Sequence, residues 1–177
     1  MSSYTLADGT LPHATAAVKV LSHLLDLVEK STSPTPEALL AARLHPSMLP
    51  LAFQFHFATD CAIKMVARLE GVDPPAAGSW EAIKTVADAR ARVDAAAARL
   101  ASADADKIAS RRDETVTYGR GRGKPDGKLR ARDYATGFSL PTIYFHTTTA
   151  YNILRKEGVE VGKADYSNSF MAPYEES

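Results

Sequence analysis

The sequence predicts a mainly α fold, a four-helix bundle with a small β-hairpin between helices three and four and an extended C-terminal tail. Three observations predict it. Apolar residues recur every three to four positions in four separate stretches, and proline- and glycine-rich segments divide those stretches. One short run, Thr115, Val116, Thr117 and Tyr118, is made of residues that favour extended backbone. The length of 177 residues suits one core, because a chain of this size buries roughly two thirds of its unfolded surface. Residues 1–177 are therefore read as a single helical-bundle domain, with the hairpin insertion at about 114–132 and the tail at about 159–177.

The first helix spans residues 11–30. Val18, Leu21, Leu24, Leu25 and Val28 share one face, and Pro12 sits in the first turn, where a missing N–H costs little. Two prolines mark residues 31–36 as a loop, and residues 37–43 make a short helical turn before His45 and Pro46. Ser47 is the expected cap of the second helix, which runs through Pro50, Phe53, Phe57, Ile63, Met65 and Val66 to Gly71. After the connector at 72–78, Ser79 opens an alanine-rich third helix to about residue 102 that permits close approach but makes a thin core. Residues 128–132 are the return strand for residues 115–118, and residues 119–127 are the turn. The fourth helix spans residues 133–157. Pro141 should bend it, and the carbonyl that Pro141 would strike belongs to Gly137. Tyr166, Phe170 and Tyr174 give the tail an aromatic side that should pack over the bundle end.

The 21 basic and 21 acidic residues balance, which removes the general electrostatic argument for nucleic acid or an anionic membrane as partner. Cys61 is the single cysteine, so no intramolecular disulfide and no cysteine-rich metal site can form. The N-terminal residues show no basic segment followed by an apolar run, and cytoplasm is the default expectation.

A bundle builds sites from polar side chains on facing helices. On the second helix these are Gln54, His56 and Asp60. His56 and Asp60 are four apart, on one face, where a carboxylate can orient an imidazole and raise its basicity. On the fourth helix, Tyr144, Thr148, Tyr151 and Arg155 form one stripe, with His146 read along its edge. The catalytic candidates are His56, Asp60, His146 and Tyr151; Gln54, Tyr144, Thr148 and Arg155 are candidate ligand-binding residues. The structural alternative is that the histidines are satisfied core residues among Phe55, Phe57 and Phe145, and that Arg155 merely suits a helix C-terminus. No two of the five histidines are three to five apart, so no helix offers a local metal-binding pair. The run Gly119, Arg120, Gly121, Arg122, Gly123, Lys124 lacks the Gly-Lys-Ser/Thr ending of a phosphate loop and reads as a solvated hairpin tip. Cys61 reads as a small core hydrophobe.

Two blocks carry a family resemblance. They are Met48-Leu49-Pro50-Leu51-Ala52-Phe53-Gln54 and the longer block from Phe145-His146 through Thr149-Ala150-Tyr151, Ile153-Leu154-Arg155, Gly158-Val159 and Gly162-Lys163 to Asp165-Tyr166. The chain resembles the domain of unknown function nineteen-ninety-three family, a branch of the DinB/YfiT-like helix bundles, over nearly its whole length. The resemblance implies a DinB-like four-helix bundle. It also implies the three-histidine metal site of DinB-like enzymes, one histidine on the second helix and a His-x-x-x-His pair on the last. His56 and His146 match two of those positions, and Ala150 stands at the third.

Three functions follow. The first is a metal-independent acid/base enzyme, a lyase, isomerase or cyclase, with a pocket between helices two and four and no cofactor. The second is a non-enzymatic ligand-binding or dimerising bundle. The third is a DinB-like divalent-metal enzyme whose remaining ligand is His13, Asp60 or Tyr151. The expected partner is an unidentified small molecule, with neither nucleic acid nor membrane, and the expected assembly is a homodimer.

Overall fold

A computed structural model describes residues 4–121 and 123–175; Arg122 of the hairpin tip, Met1 to Ser3 and the last two residues lie outside the described residues. Helix α1, Leu11–Lys30, buries Val18, Leu21, Leu24, Leu25 and Val28, the face its spacing requires. A short helix, α2, Pro36–Ala41, follows.

Helix α3, Leu51–Leu69, starts later than expected, with Pro50 as its N-cap. Ser47 does not cap it, because its hydroxyl is engaged by His45 Nδ1 at 2.9 Å within the preceding loop. Gly71 ends this segment at φ +70°, a left-handed conformation that costs glycine least. The third predicted helix also starts later. Ser79 caps only a single turn, Trp80–Ala82, whereas α4, Val86–Ala101, begins at Thr85. Thr85 and Asp88 form a reciprocal capping box, Asp88 N–H donating to Thr85 Oγ1 at 3.2 Å and Thr85 N–H to Asp88 Oδ2 at 2.8 Å. A short helix that periodicity did not foretell, α5, Ala105–Ser110, is capped by Asp104.

Strands β1, Thr115–Tyr118, and β2, Gly127–Arg130, pair antiparallel with Thr115 opposite Arg130 and Tyr118 opposite Gly127, the predicted hairpin. The chain then enters α6, Ala131–Tyr134, passes through a π-helical turn, Ala135–Ser139, and continues as α7, Leu140–Lys156. The bend expected from Pro141 takes the form of that widened turn, which relieves the missing donor and the clash toward Gly137. The tail carries its own helix, α8, Lys163–Met171.

Around the bundle the order is α1, α4, α3, α7, so α3 has α4 on one side and α7 on the other, while α1 lies diagonally opposite. The core is large from α1, α3 and α7 but thin from α4, which buries only Ala89, Val93, Ala96 and Leu100. Glu70 ties the lower end together: it accepts from Arg99 Nη1 at 3.3 Å and from the Asp104 N–H at 2.9 Å. Among the described residues no helix is long and apolar enough to cross a membrane.

Candidate functional site

The seam between α3 and α7 holds the first group of polar residues. His146 Nδ1 lies 2.8 Å from Gln54 Oε1. The Gln54 amide donates from Nε2 to the carbonyls of Leu49 at 3.0 Å and Pro50 at 3.3 Å, so its oxygen, not its nitrogen, must face the imidazole. An amide oxygen only accepts, hence Nδ1 of His146 carries the proton and Nε2 keeps its lone pair. Burial pulls the His146 pKa down to about 4, so the ring is neutral at neutral pH. Its walls are aromatic: the Phe57 ring is 4.7 Å away, Phe53 5.7 Å and Phe145 5.2 Å between centroids.

His56 lies on the other side of Phe53, 6.4 Å between ring centroids, and is 6% exposed. Its Nδ1 is buried and finds no hydrogen-bond partner among the described residues. Burial, and then the charge of Arg92, lower its pKa. The expected His56–Asp60 hydrogen bond is absent. Asp60 instead pairs with Lys64, one turn further on, at 2.7 Å. The Lys64 amine takes the carboxylate that the buried imidazole would otherwise share, and Asp60 reaches His56 only through space.

The stripe of α7 faces elsewhere. Tyr144 meets Phe170 edge-on at 5.7 Å, Thr148 Oγ1 donates to Tyr166 Oη at 3.3 Å, and Tyr151 packs on Tyr166 at 6.4 Å. Arg155 donates to the Val161 carbonyl at 3.0 Å. Burial raises the Tyr144 pKa. These four residues seat α8 and the segment before it. His146 is not on their edge but on the opposite flank of α7, because two residues along a helix turn the side chain by about 200°. Of the candidates, the structure therefore brings together Gln54 and His146, leaves His56 beyond Phe53, and separates Tyr144, Thr148, Tyr151 and Arg155 from the pair.

A cleft of about 330 Å³ opens between α3, the hairpin and the π turn, within the usual range for a small-molecule site. Phe57, Asp60, Lys64 and Arg68 of α3 form one side, and Tyr118, Tyr134 and Phe138 form the other. Phe57 is thus shared: one of its neighbours is His146, and it also walls the cleft. Tyr118, Tyr134 and Phe138 make a three-ring cluster with centroid distances of 4.8 to 5.7 Å. Arg68 is fixed by Nε donating to the Thr117 carbonyl at 2.9 Å and by Nη1 donating to Tyr134 Oη at 2.9 Å. Cys61 also lines the cleft, but burial pushes its thiol up to about 12 and keeps it protonated. A larger cleft of about 470 Å³ lies on the α4 side of α3, where Asp88 is committed to the capping box and Arg92 donates from Nη2 to the Ser79 carbonyl at 2.9 Å.

Sequence reasoning missed Lys64, Arg68, Tyr118, Tyr134 and Phe138. The available signal was the spacing of Phe57, Lys64 and Arg68 along one stripe of α3 and of Tyr134 and Phe138 one turn apart.

A three-histidine metal shell does not fit these residues. Ala150 is fully buried and offers no donor, Asp60 is held by Lys64, and Tyr151 is held by α8. His13 packs beside Tyr174, 6.4 Å between centroids. Among the described residues, no three His, Cys, Asp or Glu side chains converge.

Residues 6–167 match the family model described as Domain of unknown function (DUF1993). Among solved structures, the crystal structure of a DinB family member protein from Shewanella denitrificans is similar, with a TM-score of 0.76 and 30% identity over 91% of this chain and 90% of that one. No curated protein matches.

Proposed function

The chain belongs to the Domain of unknown function (DUF1993) family, within the DinB-like helical bundles, and from that premise we propose that it binds a small organic molecule in the cleft between α3, the hairpin and the π turn and transfers a proton there without a metal. The observation that carries this reading is the Gln54–His146 bond. It presents an imidazole with an unprotonated Nε2 behind the Phe57 wall, a nitrogen free to accept a proton at neutral pH although burial, holding its pKa at about 4, makes it a weak base. Gln54 acts by positioning, and His146 is the proton acceptor. Asp60, joined to Lys64, supplies local charge rather than orienting His56.

A second reading has an observation of its own. Neither His56 nor His146 is among the residues lining the cleft, which suits a bundle that binds its ligand without converting it.

One experiment separates the two. A thermal-shift screen of a small-molecule library compares the protein with Phe138→Ala, and each stabilising compound is then incubated with wild type and with His146→Gln under mass-spectrometric detection. The expected outcome is stabilisation lost in Phe138→Ala and conversion lost in His146→Gln while binding persists. Conversion that survives in His146→Gln would refute the proton transfer, and binding without conversion by wild type would establish the second reading. Stabilisation untouched by Phe138→Ala would remove the cleft from both.

A further inference from the structure

The charges of the cleft specify its ligand more narrowly. Two cations and one carboxylate line it, Lys64, Arg68 and Asp60. Lys64 and Asp60 neutralise each other at 2.7 Å. Arg68 has no such counter-ion: no carboxylate of a described residue lies within ion-pair distance of it, and both of its hydrogen bonds go to neutral oxygens. Those bonds use Nε and Nη1, so they hold the guanidinium still and leave Nη2 uncommitted. A partly buried cation among aromatic rings, pinned by neutral acceptors, is an incomplete charge pair.

The walls select the rest of the ligand. Phe57 stands on α3, and Tyr118 of the hairpin, Tyr134 of α6 and Phe138 of the π turn line the cleft with it. The Tyr134 and Phe138 rings are nearly parallel, 20° between planes, and Tyr118 is tilted on both. Such surfaces favour a flat, polarisable ring over a saturated one of equal volume. Burial raises the Tyr134 pKa, so its phenol stays neutral beside Arg68 and does not supply the missing negative charge.

We propose that the cleft takes a planar aromatic carboxylate, its ring against Phe57, Tyr118 and Phe138 and its carboxylate on the Nη2 of Arg68. The inference rests on the cleft being the binding site, and adds the chemical class.

The test is calorimetric titration of the full chain with 2-naphthoate, its neutral isostere 2-naphthamide, and decalin-2-carboxylate, repeated on Arg68→Gln, Arg68→Lys and Phe138→Ala. The naphthoate should bind at least about tenfold tighter than either the amide or the saturated acid. Arg68→Gln should erase the preference for acid over amide. Arg68→Lys, which keeps the charge, should retain part of it and guards against a loss caused by misfolding of the hairpin. Equal binding of acid and amide by wild type, or a preference unchanged in Arg68→Gln, would overturn the proposal. Equal binding of naphthoate and decalin-carboxylate would overturn the aromatic half. If acid and amide bind equally and Phe138→Ala loses both, the cleft stands and only the ligand class fails; if Phe138→Ala loses neither, the cleft itself is wrong. Absence of binding by all three at millimolar concentration overturns the class, while the library compounds continue to test the cleft.

Discussion

At the scale of single residues, the site depends on a proton whose position is set by the amide hydrogen-bonded to the ring. Gln54 can offer only its oxygen to His146, because both of its donated bonds go to the carbonyls that open α3. Gln54→Ala should therefore release the tautomer. Nitrogen-15 NMR of the imidazole is expected to show the Nδ1–H form alone in wild type and a mixture in the variant, with a stability loss of about 1–2 kcal/mol for the unsatisfied ring nitrogen. A wild-type ring protonated on Nε2 would contradict the assignment. The lowered pKa of His146 has a thermodynamic counterpart. Well above pH 6.5 the ring is neutral in both folded and unfolded chains and contributes no pH dependence. As pH falls from 6.5 toward about 4, the unfolded chain takes up a proton that the folded one refuses, so stability is lost across that window. Discounted for the solvated edge of the ring, the loss is about 1–2 kcal/mol. It should shrink in His146→Gln, as denaturant melts at pH 7 and pH 4.5 would show. The pairing of Gln54 with His146 was only half legible in the sequence. The residues stood out as polar positions in apolar helices, but which flank of α7 His146 takes depends on rotation per residue. The i, i+4 spacing of His56 and Asp60 was equally true of Asp60 and Lys64, and charge decided between them.

Among the elements, the hairpin has a chemical role beyond closing the chain. It delivers Tyr118 to the cleft, and it does so because its partner position is glycine. A Cβ on Gly127 would stand 2.6 Å from Tyr118 Cε1 and 2.8 Å from Cζ. The Tyr118 ring cannot swing away freely, since it packs on Tyr134 and Phe138. Gly127→Ala should push that ring out of the cleft, costing about 1–3 kcal/mol in stability and abolishing the ligand-induced stabilisation found in the library screen. Wild-type ligand response in this variant would show that Tyr118 is not part of the wall. The hairpin, α1 and the break near Pro141 were readable from β-formers, apolar spacing and a proline. The start of α4 was not, because two good capping residues, Ser79 and Thr85, compete, and only Thr85 has an acidic partner three residues on that closes the box. Helix α5 is too short for a periodic pattern to reveal.

On the scale of the whole molecule, the bundle and its C-terminal helix are coupled by unequal means. The four long helices bury one continuous core, whereas α8 has no buried residue. It is held on α1 and α7 by aromatic edges and by Asp165, which accepts from the Gly162 N–H at 2.7 Å and pairs with His23 at 2.7 Å. Those hydrogen bonds, the Gly162 one first, lower the Asp165 pKa. A helix attached by so little apolar area should open on its own before the bundle unfolds. Asp165→Asn removes the carboxylate that both contacts use, weakening the His23 bond and the cap together. Amide hydrogen exchange across residues 163–171 is then expected to accelerate about tenfold, with global stability changed by less than about 0.5 kcal/mol. The same opening would uncover Tyr144 and Tyr151, so their side-chain signals should shift in step with the α8 amides. A fall in global stability that matches the loss of α8 protection would mean instead that the helix belongs to the same cooperative unit as the four it covers.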